Sequence, residues 1–250
     1  MELLGIDVGG TGIKGGIVDA ERGELAGERF RLDTPHPATP ESVTNTVARV
    51  VQHFNWKETV GAGFPAVVRR GIVETAANID EGWIGRDVES MFQQATGCDF
   101  SVRNDADVAG LAEMRYGAGR GCDGVVLLLT LGTGIGSALF SGGRLVPNTE
   151  FGHIEMDGRG AERRAADSVR TRKKLSWKKW AERVDDYLHL LDFYLWPDLI
   201  IIGGGVSKKH ENFLPLLTVK TKVVPALLRN DAGIVGAACA SLGELQPQTH

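Results

Sequence analysis

Leu129-Thr130-Leu131-Gly132-Thr133-Gly134 matches, about 125 residues further along the chain, the stretch Ile6-Asp7-Val8-Gly9-Gly10-Thr11-Gly12. Each begins as an apolar run that reads as a buried strand, breaks on a Gly-Thr-Gly turn, and resumes as a second strand closed by another turn. Residues 3–8, 13–19 and 24–32 are the expected strands of the first copy. Residues 125–131 and 137–140, with the hairpin turn Ser141-Gly142-Gly143, are those of the second. A repeat of this kind predicts an α/β protein of two related lobes with a cleft between them. The smaller N-terminal lobe is expected over 1–105, completed by a C-terminal helix at about 232–241, and the larger one over 106–231.

The intervening sequence fits that plan. Thr39-Pro40-Glu41-Ser42 starts a helix whose Val43, Val47, Val50 and Val51 share one face. Strands are expected at 59–64, 67–75, 100–103 and 198–202, and helices at 86–96, 106–116, 161–170 and 176–195. The tail after Gly243 reads as frayed.

The 250 residues carry 28 Lys+Arg against 32 Asp+Glu, a formal net charge of −4, with 42% hydrophobic and 24% charged residues. That composition excludes wholesale disorder, and its mild acidity argues against a general nucleic-acid binder. Cys98, Cys122 and Cys239 are far apart and odd in number, so neither a disulfide framework nor a zinc knuckle is indicated. The opening Met1-Glu2-Leu3-Leu4-Gly5 has no basic leader and no stretch approaches a membrane span, so a cytoplasmic protein without membrane attachment is expected. The charge is uneven. Residues 159–179 hold nine Lys/Arg and two acids, a local +7 that leaves −11 for the remainder. Such a run is either a solvated face or a track for a polyanion, with Arg170, Arg172, Lys173 and Lys174 its candidate contacts.

A glycine-rich turn between strands lets successive N–H groups face one anion with no Cβ in the way. Gly9, Gly10, Thr11 and Gly12, with Lys14, and Gly132, Thr133 and Gly134 are therefore candidate phosphate contacts. Neither turn is a Walker loop. Asp7, just before the first turn, either bonds to turn amides or holds Mg²⁺ directly or through water. Asp105 after Asn104 reads as a helix N-cap or as a general base, with Asn104 orienting the same substrate. Glu150-Phe151-Gly152-His153-Ile154-Glu155 offers a metal site, a solvated loop or a sugar-binding loop, and its donors and acceptors suit a polyol best. Asn78 and Trp83 flank another loop that suits a polyol, although Trp83 could equally plug the lobe interface.

Taken together, Gly5-Ile6-Asp7-Val8-Gly9-Gly10-Thr11-Gly12-Ile13-Lys14, Asn104-Asp105-Ala106, Leu131-Gly132-Thr133-Gly134-Ile135-Gly136, Glu150-Phe151-Gly152-His153 and Gly203-Gly204-Gly205 resemble the ROK family of sugar kinases. Three further strings, Pro147–His153, Trp196–Leu199 and Asn230–Gly236, look like its polyphosphate glucokinase subgroup, glucomannokinases included. The resemblance implies an actin/hexokinase-like (ribonuclease H-like) fold and phosphoryl transfer to the 6-hydroxyl of glucose, with mannose as a second acceptor. Inorganic polyphosphate or ATP would be the donor, Mg²⁺ the cofactor, and the assembly a homodimer. It assigns Asp105 as base, Asn78, Asn104, Asp105, Glu150 and His153 as sugar contacts, and Gly203, Gly204 and Gly205 as a nucleotide motif. The family's zinc-binding cysteines have no counterpart in Met156–Arg164, so no structural zinc is expected. The last glutamate of that motif corresponds to Glu162 or Glu155, and the family's Pro-Gly is Pro65-Ala66 here. A strictly ATP-dependent ROK hexokinase or mannokinase is the alternative. A sugar-responsive ROK regulator would need a helix-turn-helix segment ahead of a motif that already starts at Gly5.

Overall fold

In a computed structural model, which describes residues 1–77, 79–228 and 231–242, the first apolar run forms β1 (Glu2–Val8) and its sequel β2 (Gly12–Asp19). They pair antiparallel with Asp7 opposite Lys14. The single strand expected over 24–32 is instead two, β3 (Glu24–Leu25) and β4 (Phe30–Asp33). Both pair with β2 but at its opposite ends, Leu25 beside Val18 and Asp33 beside Gly12, so the chain must leave the sheet between them.

Helix α1 (Pro40–His53) starts where Thr39 Oγ1 accepts the Ser42 N–H at 3.3 Å, and it buries the predicted valines. Strand β5 (Val60–Phe64) runs parallel to β1 and is buried at every position, as a strand covered on both faces must be. The strand expected over 67–75 is a small hairpin, β6 (Val68–Arg69) and β7 (Ile72–Val73). Arg70 and Gly71 turn it with φ of 53° and 79°, the two left-handed residues of a type I′ turn. Helix α2 (Val88–Thr96), strand β8 (Phe100–Asn104), parallel to β5, and helix α3 (Asp105–Tyr116) follow.

The second copy repeats the order. Strands β9 (Val125–Leu131) and β10 (Ile135–Ser141) are antiparallel, and β11 (Arg144–Val146) extends the hairpin. A two-residue hairpin, β12 (Glu155–Met156) with β13 (Arg159–Gly160), precedes α4 (Glu162–Ala165), α5 (Asp167–Arg172) and α6 (Trp177–Leu195). Strand β14 (Leu199–Gly203) lies parallel to β9, and β15 (Lys222–Pro225) parallel to β14. The sheets read β3-β2-β1-β5-β8 and β11-β10-β9-β14-β15. Each has two antiparallel steps followed by two parallel ones, which is the repeat expected from the two Gly-Thr-Gly turns.

The helix expected over 161–170 is broken at Ala166, whose ψ of 149° is extended. At the break the Trp180 indole of α6 donates to both Ala165 O (3.0 Å) and Ala166 O (3.3 Å), and Ala166 O also accepts the Val169 N–H at 3.0 Å. Among the described residues no helix is long and apolar enough to cross a membrane.

The chain clusters into two units, one of Met1–Ala112 completed by α7 (Ala232–Ala240), the other within Glu113–Asn230. Each has its own core. In the first, Trp83 is fully buried, edge-on to Phe64 and Phe92, with its indole N–H on Ala38 O at 3.1 Å. Trp83 is therefore neither the polyol contact nor the lobe-interface plug that the sequence suggested. Helix α7 is apolar all round and lies directly on the first sheet. A Cβ on Gly5 would collide with Ile234 O, one on Gly61 with Ala237 O, and one on Gly236 with Val108 O in α3. Overpacking against backbone has no soft neighbour to yield. Gly236→Ala is thus expected to cost about 2–3 kcal/mol, read as a lowered denaturation midpoint. Gly27→Ala, whose Cβ meets nothing within 4 Å, should leave the midpoint nearly unchanged; equal midpoints for both variants would contradict the packing account.

Candidate active site

In the first unit the turn after β1 closes on itself, Gly9 N–H to Gly12 O at 3.1 Å. Its outer carbonyls are held from behind: Thr34 Oγ1 donates to Gly9 O (2.5 Å), and Arg31 Nη2 to Thr11 O (2.7 Å) while Nη1 pairs with Asp33. Asp7 and Lys14, the cross-strand neighbours, form an ion pair at 3.0 Å in a part-buried setting. A cavity of about 270 Å³ opens beside this turn, its lining including Gly9, Gly10, Thr34, His36, Pro65 and Asp80. Thr34 and His36 escaped the sequence reading because they stand in the short loop between β4 and α1, with no periodicity to mark them.

The junction of β8 and α3 corrects one assignment. The N-cap is Asn104, not Asp105: buried Asn104 Oδ1 accepts the N–H of Ala106 (2.9 Å) and of Asp107 (3.4 Å), and its Nδ2 donates to Ala66 O (3.1 Å). Ala66 belongs to the Pro65-Ala66 pair that the resemblance sets against the family's Pro-Gly. Asp105, already inside the helix, is exposed, and its Oδ1 also receives the Ala106 N–H at 2.8 Å. Asn78 lies outside the described residues.

The second unit builds the loop of Glu150 and His153. Ser137 anchors it, donating to Thr149 O (2.6 Å) and accepting from Phe151 N (3.0 Å), and Gly152 presses against Ile135 O where no Cβ fits. A single 3₁₀ turn, Phe151–His153, presents the imidazole. Its Nδ1 is 3.7 Å from Glu150 Oε2 and its Nε2 4.0 Å from Glu162 Oε1. Of the two glutamates left open by sequence, Glu162 joins His153, whereas Glu155 is exposed on β12. Glu150's carboxyl is pushed above the usual carboxylate range, chiefly by burial and further by Glu162, with His153 opposing.

Glu162 also reaches the second turn. That turn closes with Gly132 N–H on Gly134 O at 3.0 Å, and a Cβ on Gly134 would sit 2.5 Å from Glu162 Oε2. Beyond β14, Gly204 adopts φ 79° and lies against the Leu131 backbone, while Gly205 faces open space and Gly203 closes the strand. In the basic segment, Arg164 pairs with Asp157 and Asp186. Arg170 is also engaged, bonded to Asp167 at 2.8 Å and stacked over Trp177 at 4.0 Å. Arg172, Lys173 and Lys174 are exposed and carry no ion pair among the described residues.

The family model for ROK matches residues 3–169. The polyphosphate glucokinase of Mycobacterium tuberculosis is 52% identical over 242 residues, covering 96% of this chain and 91% of that protein. The crystal structure of the inorganic polyphosphate/ATP-glucomannokinase of Arthrobacter sp. strain KM superposes with a TM-score of 0.93 at 49% identity, over 96% of this chain and 98% of that one. The ROK glucokinase of Streptomyces griseus, solved with glucose and AMPPNP, gives 0.81 at 26% identity, over 96% and 98%. With the family model spanning most of the chain and the same α/β, actin/hexokinase-like fold in these neighbours, the chain belongs to the ROK family.

Proposed function

We propose that this protein transfers the terminal phosphoryl group of inorganic polyphosphate to the 6-hydroxyl of glucose, with ATP as a second donor and mannose as a second acceptor. The observation that carries this is Glu162. One carboxylate belongs both to a Glu-His-Glu cluster suited to sugar hydroxyls and to the edge of a glycine turn suited to phosphate. The polyphosphate glucokinase and glucomannokinase named above support the choice of donor. The exposed Arg172, Lys173 and Lys174 suit a linear polyanion, and Gly203-Gly204-Gly205 suits a nucleotide.

The transition state of phosphoryl transfer is loose, so the protein's work is to position reactants and stabilise charge. Asp105 accepts the proton of the attacking hydroxyl. Glu150, His153 and Glu162 hold the remaining hydroxyls, joined by Asn78 and by the one Asn104 amide hydrogen left beyond its contact with Ala66 O. Gly10, Thr11 and Gly12 in the first turn and Thr133 and Gly134 in the second offer backbone N–H groups to phosphoryl oxygens, while the N–H groups of Gly9 and Gly132 close their own turns. Lys14 orients Asp7 and adds positive charge.

Mg²⁺ fits this donor set. Asp7 has one carboxylate oxygen engaged by Lys14 and a second available for a hard cation or its water, and Mg²⁺ commonly takes only one or two carboxylates beside substrate phosphates. When bound there it would neutralise charge on the phosphoryl oxygens. We further infer a cytoplasmic homodimer whose glucose 6-phosphate feeds glycolysis.

Two experiments test this reading. Asp105→Asn keeps shape but removes the base, so the turnover number should fall by about 10²–10⁴-fold while glucose affinity by calorimetry stays nearly constant; near-normal turnover would remove Asp105 from the role. Reversing charge in Lys173→Glu/Lys174→Glu should raise KM for polyphosphate about tenfold or more and that for ATP little, with the difference shrinking at high salt. Equal effects on both donors would refute a polyphosphate track at these residues.

A further inference from the structure

Ser168, in the first turn of α5, makes two hydrogen bonds to the Gly132-Thr133-Gly134 turn 35 residues away. Its backbone N–H donates to Gly132 O at 3.0 Å, and its Oγ donates to Thr133 O at 2.6 Å. A trans peptide is planar, with the C=O of one residue and the N–H of the next pointing in opposite directions. Holding the carbonyls of Gly132 and Thr133 toward Ser168 therefore turns the N–H groups of Thr133 and Gly134 to the other side. Two successive N–H groups facing one side form an anion-binding nest. Thr34 and Arg31 grip the carbonyls of Gly9 and Thr11 in the first turn by the same means.

We propose that Ser168 is a positioning residue for the donor phosphate. It touches no substrate and acts by fixing the direction of the Thr133 and Gly134 amides. The inference rests on reading this turn as a phosphate cradle. The geometry also separates the two bonds. Any residue but proline at 168 keeps the N–H that holds Gly132 O, so the Thr133 amide stays aimed; among the described residues the hydroxyl alone holds Thr133 O, and with it the Gly134 amide. Ser168 stands on a helix that is itself braced, since Arg170 is bonded to Asp167 and stacked on Trp177, and that leads directly to Arg172, Lys173 and Lys174. The residue that aims the turn is thus part of the segment that carries the exposed cations.

The test uses the ¹⁵N-labelled full chain titrated with inorganic tripolyphosphate in the absence of sugar, alongside steady-state kinetics. In the unsubstituted protein the Thr133 and Gly134 amide resonances should both shift. In Ser168→Ala the Gly134 shift should be lost or sharply reduced while that of Thr133 persists, and KM for the phosphate donor should rise about three- to tenfold, the range expected for one neutral hydrogen bond. Glucose affinity should stay within twofold, and Ser168→Thr, which keeps the hydroxyl, should restore the donor KM. Tripolyphosphate that moves neither amide in the unsubstituted protein would overturn the phosphate-cradle reading itself. Shifts and donor KM in Ser168→Ala equal to those of the unsubstituted protein would overturn the role of Ser168 and leave the cradle standing. A fall in glucose affinity matching the donor effect would mark a general structural defect and also refute the positioning role.

Discussion

The contact on which the first unit depends is backbone against backbone, between the carbonyls of α7 and the glycines of β1 and β5. Gly5 and Gly61 have no Cβ, so Ile234 O and Ala237 O can lie on the sheet itself, and Gly236 lets α3 close in from the other side. Nothing in that interface has a rotamer to relax into, so β1 is held in one position. The consequence reaches the chemistry. Asp7 is the penultimate residue of β1, Gly233 in the first turn of α7 packs against its carboxylate, and Lys14 completes its surroundings from β2. The first glycine turn begins two residues later. A helix drawn from the far end of the chain thus sets the position of the first glycine turn.

The central strands and their turns were legible because local signals agree there: apolar runs, β-branched residues and glycine at the break. The helix face of α1 was legible for the same reason, since a 3.6-residue period survives in the sequence whatever the tertiary context. What failed depended on residues distant in the chain. At the break at Ala166 the carbonyls meet the Trp180 indole, which stands 14 residues on. The burial of Trp83 requires Phe64, Phe92 and the Ala38 carbonyl. Whether Asn104 or Asp105 caps α3 turns on a one-residue difference in where the helix starts, and capping propensity favours both residue types alike. The hairpin at Asp157-Gly158 was not among the expected elements, although Asp-Gly is a two-residue hairpin signal: both residues have positive φ, 51° and 72°, as a type I′ turn demands.

Charge shows the same divide. Composition places nine cationic side chains in residues 159–179, but composition cannot say which are available. The structure sorts them by partner. Arg164 and Arg170 are drawn into ion pairs, the second also onto an aromatic face, where guanidinium is the better choice over ammonium. The exposed Arg172, Lys173 and Lys174 follow at the end of the braced helix, so the two groups divide between holding the segment and presenting charge.

The small hairpin of β12 and β13 explains how Glu162, and not Glu155, reaches His153. Glu155 pairs with Gly160 across a type I′ turn, so the chain reverses within a few residues and returns toward the imidazole just as α4 begins. In the resemblance to ROK kinases this is the stretch where zinc-binding cysteines stand; here it reads Met156-Asp157-Gly158-Arg159. The tight turn sets the reversal, and Arg164 ties its tip at Asp157 to Asp186 on α6. Exposed ion pairs are individually weak, but this arginine is three-quarters buried and serves two carboxylates at once. A left-handed turn and a shared guanidinium thus fix the reversal that brings one carboxylate both to His153 and to the second glycine turn.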